Sequence, residues 1–353
     1  MSLIRKTAII FGLSIAVIRA QPEPDYAARA MEVTAYIQEH FHDKKTGLYA
    51  GRIDKRDPDF VWGGGVMFSA LVGVAKHDRK WEGAMRRYFD ALDGYWDDKV
   101  KIPGYEPAPT SGGGSDKYYD DNAWMVITFA DAYELTRDRR YLKRSSETLE
   151  FVLSGWDDQA GGGIWWHEKH KDGSKNTCVN APAAFGCLIV ARNDAKLAPR
   201  LIGQAKRIVE WTNSRLQAKN GLFADAIKVD GGKINPDQLT YNAGLMLRAN
   251  LALYHQTKDV AFLDEAKRIG KAAASLLDQK TGVYRDPVKW SHLMTEADLE
   301  LYGTTHEAYL LERSKKNADA HFNQFKAATP EDLLTLASIA RELWLMSEIS
   351  RKP

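Results

Sequence analysis

Residues Lys117 to Met125 read KYYDDNAWM and set two acids, Asp120 and Asp121, side by side among aromatic residues. Adjacent carboxylates repel each other and are costly where water is scarce, so a pair at the start of an apolar run needs a reason. Glycoside cleavage with retention of configuration supplies one. It uses an ionised carboxylate as nucleophile and a protonated carboxyl as general acid, about 5 Å apart. A helix N-terminus favours the first as an anion. The resulting negative charge raises the pKa of the second, which keeps its proton for the leaving oxygen. Neighbouring side chains on a regular helix diverge, so this chemistry calls for a pair at or before the cap. A capping Asp followed by a first-turn acid would leave the same trace in the sequence.

The surrounding residues suit a sugar. Tyr119, Trp124, Trp165, Trp166 and Tyr241 are candidates to stack on pyranose faces, and Asn180, Asp225 and Asn242 to meet hydroxyls. Core packing competes for each aromatic taken singly, and helix capping competes for both Asn. Trp165 and Trp166 follow three glycines, and in an extended segment neighbouring side chains cannot both pack inward. His167 reads as an exposed loop residue.

Other chemistries find no support. The chain has no GxSxG elbow, no P-loop and no dinucleotide fingerprint after a strand. HDRKW (His77 to Trp81) and HFHD (His40 to Asp43) lack metal-ligand spacing, so neither a metal nor a cofactor is expected. Cys178 and Cys187 fall in one expected helix about 13 Å apart, beyond disulfide reach.

Internal repeats define the elements that must hold these residues. Asn-Ala recurs at Asn122, Asn180 and Asn242, and a Gly-apolar-aromatic triplet at Gly163, Gly221 and Gly282, each about sixty residues apart. YELTRDRRYL (Tyr133 to Leu142) and YHQTKDVAFL (Tyr254 to Leu263) are matching connectors. Before each connector or its equivalent lies a segment apolar nearly all round: Ala123 to Leu135, Ala181 to Ala191, Ala243 to Tyr254. Such helices are buried on every side. After it comes a one-faced helix, with stripes such as Leu142, Ser145, Leu149, Val152. Tyr26 to Phe41, Val66 to Ala75, Trp81 to Tyr95, the region from His306 to Leu311 and Glu331 to Ile349 extend the pattern to roughly eleven helices. Alternating inner and outer helices predict an all-α toroid of six hairpins, an (α/α)6 barrel, with Gly-rich loops such as Trp62 to Gly65 at its rims. Aligned on Asn-Ala, the sibling repeats carry no acid where Asp120 and Asp121 stand. Folding does not require the pair.

At 353 residues with 44% hydrophobic content, the chain can fill one large barrel, here placed at residues 21–353. Its formal charge of +2 gives no nucleic-acid footprint and no polybasic membrane patch. Arg5 and Lys6 precede an apolar run from Ala8 to Ile18, a signal-peptide layout over residues 1–20 that predicts a secreted or periplasmic protein without an integral membrane anchor. A monomer is expected.

YYDDNAWM, then GGGIWW, NAPAA, NGLFAD and TYNAG in that order, from about Tyr26 to Trp290, resembles glycoside hydrolase family 76. These are endo-α-1,6-mannanases, with fungal cell-wall relatives regarded as transglycosidases. The resemblance implies an (α/α)6 barrel, a retaining mechanism, Asp120 as nucleophile and Asp121 as acid/base. It also implies an α-1,6-linked mannan or manno-oligosaccharide as partner. Transfer to a sugar acceptor, or mannan binding without cleavage, are the alternative activities.

Overall fold

The computed structural model describes residues 24–171 and 173–350; the expected signal segment lies outside them. The segments apolar on all sides become six helices buried over most of their length: α2 (Val61–His77), α4 (Tyr119–Thr136), α6 (Thr177–Asn193), α8 (Thr240–Thr257), α10 (Val288–Thr305) and α12 (Leu333–Ser350). Each packs on the next, and α12 packs back on α2, so the inner ring closes. The one-faced helices α1 (Tyr26–His40), α3 (Glu82–Ala91), α5 (Arg139–Ser154), α7 (Ala198–Leu216), α9 (Val260–Ala272) and α11 (Ala308–Ala327) lie outside, each against an inner partner. This is an (α/α)6 barrel. An amphipathic helix buries only its stripe, which is why the inner and outer sequences look so different.

Among the described residues there are twelve α-helices rather than eleven. The additional one comes from residues 288–327, where the connector recurs as YGTTHEAYLL (Tyr302 to Leu311). Its three copies share one geometry. Arg137, Lys258 and His306 end their helices in the left-handed conformation, at φ of 60°, 61° and 58°. In each copy a Thr hydroxyl (Thr136, Thr257, Thr305) donates to the carbonyl four residues back and accepts the amide of the acid two residues on. Asp138 and Asp259 then cap α5 and α9 with their side chains.

The expectation that Trp62 to Gly65 forms a rim loop is corrected. These residues open α2, and Gly63 to Gly65 are buried in its first turns. The reason is steric. A Cβ on Gly63 would lie 1.9 Å from Oδ2 of Asp59, and one on Gly65 would press on Sδ of Met125. Glycine here lets the helix start hard against its neighbours rather than loosening it.

The Asn of Asn-Ala explains how the rim is built. Asn122 accepts the Tyr105 amide through Oδ1 and donates through Nδ2 to the carbonyls of Tyr105 and Tyr118. Asn180 does the same with Ile164 and Asn176. Each buried amide clamps a rim strand to the start of an inner helix. Two buried lysines hold the same loops. Lys117 pairs with Asp97 at 2.9 Å and Glu168 at 3.3 Å, and Lys175 pairs with Asp157 at 2.6 Å while donating to three carbonyls.

Candidate active site

The N-terminal ends of five inner helices converge on one cavity of about 470 Å³. First-turn side chains form its wall: Trp62 on α2, Asp120 and Asp121 on α4, Cys178 on α6, Tyr241 on α8 and Trp290 on α10. One turn deeper, Trp124, Leu245 and Leu293 make the floor. A second cavity of about 510 Å³ opens among the C-terminal ends of the same helices. It is lined by ion-paired residues such as Arg248 and Glu296 and does not hold the carboxylate pair.

Asp120 and Asp121 follow Tyr119 inside the first turn of α4, so they lie past the cap at Tyr118 rather than at or before it. Both still line the cavity. Their surroundings differ. Oδ2 of Asp120 accepts the indole N–H of Trp166 at 2.9 Å and lies 3.7 Å from the Cys178 thiol. Its Oδ1 accepts the Asp121 amide at 3.0 Å. Burial raises the Asp120 pKa above the ordinary carboxylate range, and these donors pull it partly back. Asp121 lacks such donors. Burial raises it further, and the charges of Asp120 and Asp59 add to the rise. The two acids therefore titrate as a coupled pair in which Asp121 holds its proton more tightly.

Asp59, just before α2, is a third acid near the pair. One of its oxygens accepts the Phe60 amide at 2.8 Å, whereas the other is buried with no hydrogen-bond partner. Burial pushes its pKa up to about 7.

The residues expected from sequence divide. Trp124, Trp166, Asp225 and Tyr241 line the cavity with the acid pair. Tyr241 donates its hydroxyl to Asp225 at 3.3 Å, and Asn235 holds the other Asp225 oxygen. Trp124 is backed by His292, stacked at 6.2 Å, and by the Arg341 guanidinium.

Tyr119, Trp165, Asn180 and Asn242 lie outside the cavity lining, which corrects their expected contacts. Tyr119 is buried and stacks on Phe151 at 4.8 Å. Trp165 is fully buried, its indole N–H donated to Asp157 at 2.7 Å and its ring facing the Lys175 ammonium. The extended pair thus points one indole in and one out, and Trp166 is 38% exposed. Asn180 spends its amide on rim backbone. Asn242 is buried and reaches only Asp225, at 3.4 Å.

Tyr118, one of the aromatics that the sequence places beside the acid pair, also lines the cavity, and Phe60, Trp62, Asn176, Cys178 and Trp290 complete it beyond the sequence-based candidates. A signal for several was available: a first-turn position on an inner helix. It became usable for Trp290 only with the start of α10, which no Asn-Ala marks.

The sequence matches the model of glycosyl hydrolase family 76 over residues 25–327. Among solved structures, a GH76 α-mannanase from Bacteroides thetaiotaomicron is 26% identical, with a TM-score of 0.87 over 94% of this chain and 97% of that one. The GH76A α-1,6-mannanase of Salegentibacter sp. HEL1_6 has the same fold, at 20% identity and a TM-score of 0.79, over 92% of this chain and 100% of that one. A curated relative, the meiotically up-regulated gene 191 protein of Schizosaccharomyces pombe, is 27% identical over 246 residues. That match takes in 64% of this chain and 54% of the relative, so the chain spans about half the length of that protein. With the family match running through most of the barrel and past both acids, this chain belongs to glycosyl hydrolase family 76.

Proposed function

We propose that the chain is a retaining endo-α-1,6-mannanase that hydrolyses the backbone of an α-1,6-linked mannan. The observation that carries this reading is the asymmetry of the acid pair: two carboxyl groups on one helical turn face one aromatic-walled cavity, and donors surround only Asp120. The hydrogen-bonded Asp120 is the nucleophile. It attacks the anomeric carbon as the glycosidic bond breaks, while Asp121 passes its proton to the departing oxygen. A covalent mannosyl-Asp120 intermediate results. Asp121, now ionised, takes a proton from the incoming water, which releases the sugar and restores both groups.

The substrate class is supported by relatives. The Salegentibacter enzyme is an α-1,6-mannanase, and inactive variants of it with two consecutive aspartates replaced bind α-1,6-mannotriose and α-1,6-mannotetraose. A neutral chain suits this cavity, whose walls are four indoles, two phenols and a phenyl ring rather than cationic groups. Pyranose rings pack on such faces as their hydroxyls reach Asp225 and Asn176.

The test is the pair of variants Asp120→Asn and Asp121→Asn assayed on debranched α-1,6-mannan, with products resolved by size. Each is expected to lose nearly all activity while still binding α-1,6-manno-oligosaccharide. Full activity in either variant overturns the assignment, and products longer than the substrate would mark transfer instead of hydrolysis.

A further inference from the structure

Outside the cavity, three metal-ligating side chains gather that the hydrolytic chemistry leaves unused. Asp116 lies on the segment leading into α4, and His167 and His170 follow Trp166. Oδ2 of Asp116 is faced by Nδ1 of His167 at 3.0 Å and by Nδ1 of His170 at 2.5 Å. One ligand atom from each of the three residues fits within 4.8 Å of the other two. We propose that Asp116, His167 and His170 bind one divalent transition-metal ion of the zinc type, which clamps the strand entering α4 to the strand that carries Trp166.

The donor set fits that ion. Two imidazoles and one carboxylate, with a solvent-facing fourth position, suit a borderline-soft metal such as Zn²⁺. At metal–ligand bonds of about 2.0–2.2 Å, tetrahedral donors stand about 3.3 Å apart. Asp116 Oδ2 and His170 Nδ1, at 2.5 Å, separate by about 1 Å to reach that spacing. The His170 side chain is 66% exposed and meets the His167 ring edge-on at 5.4 Å, which leaves it room to turn.

The other two ligands are held in place. Oδ1 of Asp116 accepts the Lys169 amide at 2.8 Å, which turns Oδ2 towards the imidazoles and fixes its orientation for an ion. His167 is wedged between the rings of Tyr118 and Trp166, at 4.3 and 4.7 Å. The two strands already pair through Tyr119 N–H to the Trp166 carbonyl at 3.0 Å and Glu168 N–H to the Lys117 carbonyl at 2.9 Å. The cluster sits where that pairing stops and a loop with Gly112 and Gly114 at positive φ begins. A metal there closes the open end of the ladder.

The experiment titrates untagged, chelator-stripped full chain with Co²⁺ and Zn²⁺, reading heat, cobalt visible absorption and thermal melting. One equivalent is expected to bind, with the intense visible bands of four- or five-coordinate cobalt and a rise in Tm of a few degrees at saturation. His170→Ala and Asp116→Asn should each weaken binding more than about tenfold and remove the rise. Metal-free His170→Ala should keep the parent's hydrolytic rate, because His170 lies outside the cavity. Clearly less than one equivalent bound, the spectrum of hydrated octahedral cobalt, or unchanged affinity in the exposed His170→Ala variant overturns the site.

Discussion

The indole N–H of Trp166 donates to Oδ2 of Asp120 at 2.9 Å, joining a rim strand to the first turn of α4. That bond favours the charged form of Asp120 and separates its chemistry from that of Asp121 next door. Replacing Trp166 with Phe keeps a ring at the cavity wall but removes the donor. The acid limb of the kcat/KM profile, which reports loss of the Asp120 charge, should then move to higher pH by about one unit. An unmoved limb would mean that the bond does not tune the nucleophile.

The whole profile should sit high for a carboxylate pair. Burial raises both groups, and Asp121 more than Asp120. The proposed mechanism requires Asp120 ionised and Asp121 protonated, so both limbs of the bell are expected above the ordinary carboxylate pKa of about 4. An acid limb at or below that value would contradict the burial described.

Asp59 carries a stability signature with a definite sign. Its folded pKa is raised to about 7, well above that of an unfolded carboxyl. Below about pH 4 both states are protonated and the group is neutral to stability. Between there and pH 7 the unfolded chain ionises first, and folding loses free energy by the difference. Asp59→Asn should therefore raise Tm at pH 8 and leave it nearly unchanged at pH 4. In the same variant the basic limb of activity should shift down, since one charge that raises Asp121 is gone.

Trp165 and Trp166 should behave oppositely although they are neighbours. Trp165→Ala empties a fully buried site and removes one donor from Asp157, and is expected to cost about 3–5 kcal/mol. Trp166→Ala should leave Tm within a degree or two and show its effect on KM and kcat. Denaturant melts beside steady-state kinetics separate the two.

Asn180→Ala distinguishes a rim clamp from a sugar contact. It leaves the buried Ile164 amide and carbonyl without their partner, at a cost of about 1–3 kcal/mol. Its KM for oligosaccharide should stay that of the parent. A raised KM with unchanged Tm would return Asn180 to the binding surface.

The barrel is legible in the sequence because its two helix types have different compositions and its repeat has a fixed order. The acid pair is legible because the sibling repeats lack acids at the same place. Which aromatic faces the sugar is not. Trp165 and Trp166 differ in nothing local, and their partners are set by the fold: Trp165 meets Asp157, Lys175 and the core, whereas Trp166 meets Asp120. Asn180 and Asn242 mislead for a related reason: an amide that holds backbone and one that holds hydroxyls are the same residue. The hairpin over residues 288–327 is masked because its connector, GTTHE, replaces the Arg or Lys and the Asp of its siblings while keeping the Thr that organises the turn. His167 and His170 carry little signal by themselves, since Asp116 stands 51 residues before His167 and meets it only through the pairing of two rim strands.

Trp62, the acid pair, Cys178, Tyr241 and Trp290 stand on the opening turns of five different helices, while the turns below them carry most of the packing. Each opening turn is a socket whose occupant faces the cavity. Sockets on different helices can therefore be exchanged one at a time, so the wall of the cavity can be reshaped by single replacements without rebuilding the scaffold.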